Sequence, residues 1–215
     1  MLTKRLSAIV SALPKCQVLA DVGCDHGYVG LAALERNVVE RVVFVDVSAP
    51  SLEKARQNCP ESLTSRAEFV CQDGLGEVVA DCAVIAGMGG LEIISVLEGA
   101  RALPQNLVLQ PMRNQRDVRT WLSERYEIVS DSMFFDGKYY DLIVARRGCV
   151  RPLTEEELTF GKTNVEQMPP DFVKYLKKEQ TKYQQILQQC NDATVSAKLS
   201  QIQSILARTT MEVKK

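Results

Sequence analysis

The stretch A-D-V-G-C-D-H-G-Y-V-G, Ala20 to Gly30, decides the fold. It follows a short apolar run, V-L-A-D-V from Val18, and leads into an apolar helical pattern, so it joins a strand to a helix. Gly23 and Gly27 allow a tight turn and a close backbone approach to a ligand, and the start of the next helix offers unpaired N–H groups. The spacing does not fit the dinucleotide pattern G-x-G-x-x-G, and Asp21 and Asp25 would repel a pyrophosphate. Carboxylates in such a turn suit a cationic ligand; a purely structural glycine turn is the alternative.

On either side of this turn, apolar runs alternate with helical segments: V-V-F-V-D from Val42, A-E-F-V-C from Ala67, C-A-V-I-A from Cys82 and N-L-V-L-Q from Asn106. That alternation predicts βαβ units and an α/β, doubly wound, mostly parallel sheet. Leu2, Leu6, Ile9, Val10 and Leu13 form a helical stripe ahead of the first strand, and Ser48 with Pro50 marks a helix start. A helix near Arg116 to Arg125 precedes two runs, Tyr126 to Phe135 and Tyr139 to Arg146, whose Asp136-Gly137 link predicts an antiparallel hairpin at one sheet edge.

Beyond Pro152 the pattern is helical. Thr154 and Glu157 make a capping box and Pro169-Pro170 opens another helix. Phe172, Leu176, Tyr183, Ile186 and Cys190 face Val195, Leu199, Ile202, Leu206, Thr209 and Val213 across an Asn191-Asp192 turn, predicting an antiparallel coiled-coil hairpin. The expected division is residues 1–150 and residues 151–215.

The 215 residues carry 26 basic and 27 acidic side chains, a net charge of -1, which excludes capture of a polyanion by the protein's overall charge. The balance is local: residues 1–150 hold 16 basic and 19 acidic groups, residues 151–215 hold 10 and 8. Lys174, Lys177, Lys178 and Lys182 share one helix, and Arg113, Arg116 and Arg119 recur every third residue; either cluster alone would also serve as a solvated face. Seven scattered cysteines, without a C-x-x-C pair, and one histidine support neither a disulfide framework nor a metal site. No signal-peptide core is present and no run approaches the roughly 20 apolar residues of a membrane span, so a cytoplasmic protein is expected.

Two further acids end strands, where open α/β sheets bind ligands. Asp46 is placed to accept both hydroxyls of a ribose, as NAD would also require, and Asp73 to meet the exocyclic amine of an adenine. Each could be a helix cap, but three acids on three successive strand ends are harder to explain so. The first turn resembles the D-x-G-x-G-x-G loop of S-adenosylmethionine (SAM) methyltransferases, with Asp25 in place of the middle glycine. I-A-G-M-G-G, residues 85 to 90, follows the fourth strand, where base methyltransferases meet their acceptor; L-Q-P-M-R-N, residues 109 to 114, follows the fifth.

L-T-K-R-L, A-D-V-G-C-D-H-G-Y, I-A-G-M-G-G, L-Q-P with R-T-W-L from Arg119, and D-G-K-Y-Y-D together resemble the bacterial tRNA (adenine-N1)-methyltransferase family acting on adenine 22, the TrmK family, along the whole chain. The resemblance implies a Rossmann-like catalytic domain that binds SAM through Asp21, Gly23, Asp25, Gly27, Asp46, Asp73 with Gly74, and the Gly87, Met88, Gly89 loop. It also implies tRNA as partner, gripped by the C-terminal helices. Adenine N1 carries no proton, so transfer needs no prior general base and rests on positioning and on polar groups that favour the cationic product. Asp25 and His26 are the candidates for that polar edge, His26 having loop support as its alternative role. Tyr28 is a candidate stacking surface, Gln110 and Pro111 candidate substrate contacts, and Arg113, Arg116, Arg119, Lys174, Lys177 and Lys178 candidate RNA contacts. A SAM-binding sensor or scaffold, and a small-molecule methyltransferase, remain alternatives. The sequence leaves the oligomeric state open.

Overall fold

The computed structural model describes residues 2–212, with side-chain surroundings given as far as residue 208. Seven strands, β1 (Cys16–Val22), β2 (Val39–Asp46), β3 (Ala67–Cys71), β4 (Cys82–Ala86), β5 (Asn106–Gln110), β6 (Glu127–Asp136) and β7 (Lys138–Arg146), form one sheet in the order β3-β2-β1-β4-β5-β7-β6. Strands β1 to β5 are parallel, and β7 closes antiparallel on β5 and on β6. The chain reverses direction between β3 and β4, on either side of β1, which opens a crevice at the carboxyl ends of the central strands.

Both faces of the sheet are covered, which is why its central strands are nearly all apolar. Leu19, Phe44, Val84 and Val108 point to one face, under α1 (Lys4–Ala12), α2 (Tyr28–Glu35) and α3 (Ala49–Asn58). Their neighbours Ala20, Val43, Ala83 and Leu107 point to the other, under α4 (Gly90–Glu98) and α5 (Gln115–Ser123). Gly30 lets α2 approach the sheet: a Cβ there would stand 2.5 Å from the Phe44 ring and 2.8 Å from Val42.

The segment after residue 150 holds two short helices, α6 (Glu155–Phe160) and α7 (Lys162–Gln167), then α8 (Pro170–Gln189) and α9 (Ala193–Glu212). The expected Thr154–Glu157 capping box opens α6, and Asp192 accepts from the N–H groups of Thr194 and Val195 to open α9. In the α8–α9 seam Phe172, Leu176, Ile202 and Ile205 are buried, whereas Val195 and Leu199 are half-exposed. Ile205 lies outside the expected stripe; the side chain of Thr209, and Val213, lie outside the described residues. Met133 of β6 and Phe160 share this small core, so the helical segment is seated on the sheet's edge strand.

Candidate functional site

A cavity of about 950 Å³ opens over the carboxyl ends of β1, β2 and β4. Its acids arrive one per strand: Asp21 from β1, Asp46 from β2 and Asp73 from the turn after β3. Asp21 is buried and its Oδ2 accepts from the Gly30 N–H at 2.9 Å, tying the strand end to the first turn of α2. Burial pushes its pKa up to about 7, the Gly30 N–H opposing and the Asp46 charge adding. Asp46 is held by two backbone donors, Asp25 N–H to Oδ2 at 3.0 Å and Ser48 N–H to Oδ1 at 2.9 Å. Each of its oxygens keeps a second lone pair for a ligand.

The first turn has the backbone its residues demand. Gly23 has a φ of +67°, and any Cβ there would collide with the Met88 methyl, so the β1 and β4 loops touch across the cavity floor. Asp25, at the position of the family pattern's middle glycine, adopts a φ of +44°, a conformation aspartate tolerates better than most residues. Gly23, Asp25, His26, Tyr28, Gly74, Gly87 and Met88 line the cavity. Gly27 and Gly89 stand behind its wall: Gly27 faces Ala55 and Phe44, and the Gly89 N–H donates to Glu92 at 2.8 Å. His26 and Tyr28 stack with ring centroids 5.2 Å apart and planes 4° from parallel, and His26 Nε2 lies 3.6 Å from Asp25 Oδ2. The His26 carbonyl accepts from Asn58, so this residue also serves the loop.

Three expected substrate contacts are placed differently. Arg119 is buried: its guanidinium binds Asp131 at 2.7 and 3.0 Å and Asp141 at 2.6 Å, and reaches the carbonyls of Leu158 and Thr159. It is a structural cation and not a surface contact for RNA, because α5 turns that side onto the β6–β7 pair. Burial works against its charge, but Asp131 and Asp141 outweigh that and hold its pKa above the ordinary value. Gln110 and Pro111 are buried as well and do not line the cavity. Gln110 instead accepts from Arg5 Nε at 2.7 Å, placing on the cavity wall an arginine that the sequence reading passed over. Glu92, Gln72 and Ser95 were also missed. Arg113 pairs with Glu92 and Arg116 with Glu155, both exposed, and Lys174, Lys177 and Lys178 are exposed on α8.

A glycine turn that brings Asp21, Asp46 and Asp73 around one crevice fits a ligand with a cationic sulfur, an ammonium, a ribose and an adenine. The family model described as tRNA (adenine(22)-N(1))-methyltransferase, TrmK, matches residues 19–211. The chain belongs to the TrmK family. A tRNA (adenine(22)-N(1))-methyltransferase of Bacillus subtilis strain 168 is 33% identical over 157 residues, covering 68% of this chain and 66% of that one. The Streptococcus pneumoniae protein Sp1610 superposes with a TM-score of 0.88 at 26% identity, over 96% of this chain and 100% of that one. Its complex with S-adenosyl-L-methionine superposes at 0.85 with 28% identity, over the same shares. As a TrmK family member the chain is a class of methyltransferase whose cofactor is SAM. The residues present fit that cofactor: the acids carry the complementary charge, and each Asp46 oxygen keeps a lone pair that the backbone does not use. No helix among the described residues is long and apolar enough to cross a membrane.

Proposed function

We propose that the chain methylates N1 of adenine 22 in the D arm of tRNA, in the cytoplasm, with residues 1–150 holding SAM and residues 151–215 docking the RNA. The observation that carries this reading is the ring of carboxylates at three successive strand ends, facing the glycine loop after β4. When bound, SAM supplies an electrophilic methyl group on a cationic sulfur. Because N1 of adenine carries no proton, the chain has no proton to remove first, and its residues act by placement. Asp46 orients the ribose and Asp73 the adenine amine, while Asp21 and Asp25 favour the cationic end.

On the acceptor side, the stacked rings of His26 and Tyr28 at the cavity rim give a flat surface for the adenine, with Tyr28 47% exposed. Asp25 and the imidazole supply polar groups to its edge, and the nearby carboxylates favour the positive charge that the base acquires. The acceptor must first leave its stack, at a cost of a few kcal/mol, which contacts to the RNA backbone offset. Lys174, Lys177 and Lys178 on α8 provide such contacts.

The test is methyl transfer from labelled SAM to an unmodified tRNA transcript, followed by nucleoside analysis. N1-methyladenosine should form in the transcript with adenine at position 22 and fail to form when that position is guanine. Label on neither transcript, with SAM still bound, would reject the reading.

A further inference from the structure

The register of the last two strands raises a wall beside the cavity. Strand β7 leaves β5 after the Leu109–Ile143 pair, yet it runs back to Lys138, still paired with β6. The five residues 138 to 142 therefore continue for roughly 16 Å past that pair, at about 3.3 Å per residue, on the side where the cavity opens. The start of α1 fastens this projection to the cavity. Asp136 Oδ2 accepts from the Arg5 N–H at 2.9 Å, and Lys4 donates to the Phe135 carbonyl at 2.6 Å.

Two cations meet there on one ring. The Arg5 guanidinium, fixed by Gln110, lies 5.4 Å from the Tyr140 centroid, and Lys138 Nζ lies 5.2 Å from the same centroid. Arg5 is also close to the glycine loop after β4, since a Cβ on Gly87 would stand 2.8 Å from its Nη2. Among the described residues neither cation has a carboxylate within ion-pair distance, although most surface arginines of the chain do. The rest of the cavity is acidic and would repel a phosphate, though not a neutral base. We propose that Arg5 and Lys138, gathered on Tyr140, form a clamp for a phosphodiester of the RNA strand that carries the acceptor adenosine. This rests on the methyltransferase reading and deepens it: the cationic cofactor takes the acidic end, and the anionic strand takes this one. The clamp adjoins the lysines of α8, since Lys178 Nζ lies 5.8 Å from the ring centroid of Tyr139, and it reads the strand beside the reacting base.

Lys138 is exposed at a hairpin tip, so its replacement leaves the fold intact. Lys138→Ala should lower kcat/KM for tRNA about five- to tenfold at low salt, through KM, and Lys138→Glu more. SAM affinity should stay within twofold for both, and the slope of log affinity for tRNA against log salt should fall by about 0.7 to 0.9. Arg5→Gln should lose more than Arg5→Lys, which keeps the charge. Unchanged KM and salt slope in Lys138→Ala would overturn the clamp. So would an Arg5→Gln variant that binds SAM tenfold more weakly and tRNA normally, since the guanidinium would then belong to the cofactor's carboxylate. Direct tRNA binding by fluorescence anisotropy tests the clamp apart from turnover, whereas absence of methyl transfer by the parent protein would reject the enzymatic reading instead.

Discussion

Asp46 shows how a single carboxylate serves two structures at once. Its backbone donors, Asp25 and Ser48, belong to the two loops that flank the cavity, so both loops are set by the oxygens of a carboxylate that also lines the cavity and that we propose orients the ribose. Asp46→Ala should therefore weaken SAM binding by about 1.5 to 3 kcal/mol, roughly ten- to hundredfold, in a folded protein. Titration calorimetry measures this, and parental affinity would remove Asp46 from the pocket. Arg119 makes the opposite case, a cation with no ligand role whose loss is felt throughout the fold. Arg119→Ala strands Asp131 and Asp141 in the interior and should cost about 3 to 5 kcal/mol in urea unfolding. Arg116→Ala, three residues earlier on the same helix, breaks only exposed contacts, an ion pair with Glu155 and a hydrogen bond to Thr159 Oγ1, and should cost under about 1 kcal/mol. Equal losses in the two variants would contradict this placement. The sequence repeat that groups these arginines marks their spacing along α5 but cannot tell which one meets two aspartates 12 and 22 positions away.

At the scale of elements, β6 is an edge strand whose outward N–H groups are covered by side chains. Asp131, Met133 and Phe135, alternate residues along the strand, donate to Thr163 Oγ1 at 2.8 Å, Asn164 Oδ1 at 2.8 Å and Asp171 Oδ2 at 3.0 Å. The helical segment thus occupies positions that another strand would otherwise take, which protects the sheet from edge-to-edge association. Asn164 is fully buried and its amide also donates to the Phe160 carbonyl at 2.7 Å. Asn164→Ala leaves the Met133 N–H without its partner, and urea unfolding should show a loss of about 1 to 3 kcal/mol; a neutral effect would mean that water replaces the side chain. The strands of this sheet were legible in the sequence because β1, β2, β4 and β5 are buried on both faces and read as apolar runs, and Asp136-Gly137 marks the hairpin turn by its chemistry. The acids of the cavity were legible for a related reason: Asp21 and Asp46 are among the last two residues of such runs, and Asp73 follows the shorter run of β3 by two positions. Arg5 was not, because its position is set by Gln110, 105 residues away, and no local pattern records that contact. Ile205 escaped the expected stripe because α9 meets both α8 and the small core around Met133, a contact wider than a single coiled-coil seam.

For the molecule as a whole, a net charge of -1 conceals a division between an acidic crevice and a basic helical segment, and the crevice makes the fold sensitive to pH. Asp21 is the group at issue, with a pKa pushed up to about 7, mainly by burial, against an ordinary aspartate value of 3.8. Below the ordinary value both the folded and unfolded chains hold the proton. Between there and about 7 the unfolded chain has released it and the folded chain has not, so raising the pH through this window favours unfolding; above it the loss is complete. Asp21→Asn keeps an acceptor for the Gly30 N–H and removes the charge, so its stability relative to the parent should rise with pH. Between pH 5.5 and pH 7 that relative gain should be roughly 2 kcal/mol, at about 1.4 kcal/mol per unit. Urea unfolding of both proteins at pH 5.5, 7 and 8 measures it, and the difference between the two cancels every other titrating group. Saturating SAM should shrink the parent's loss, because a cationic ligand beside Asp21 favours its ionised form, and SAM affinity should accordingly rise from pH 6 to 8 in the parent and stay flatter in Asp21→Asn. Two parallel stability curves would show that Asp21 is already ionised in the folded chain, and an affinity that rises equally in both proteins would assign the proton released on binding to another group.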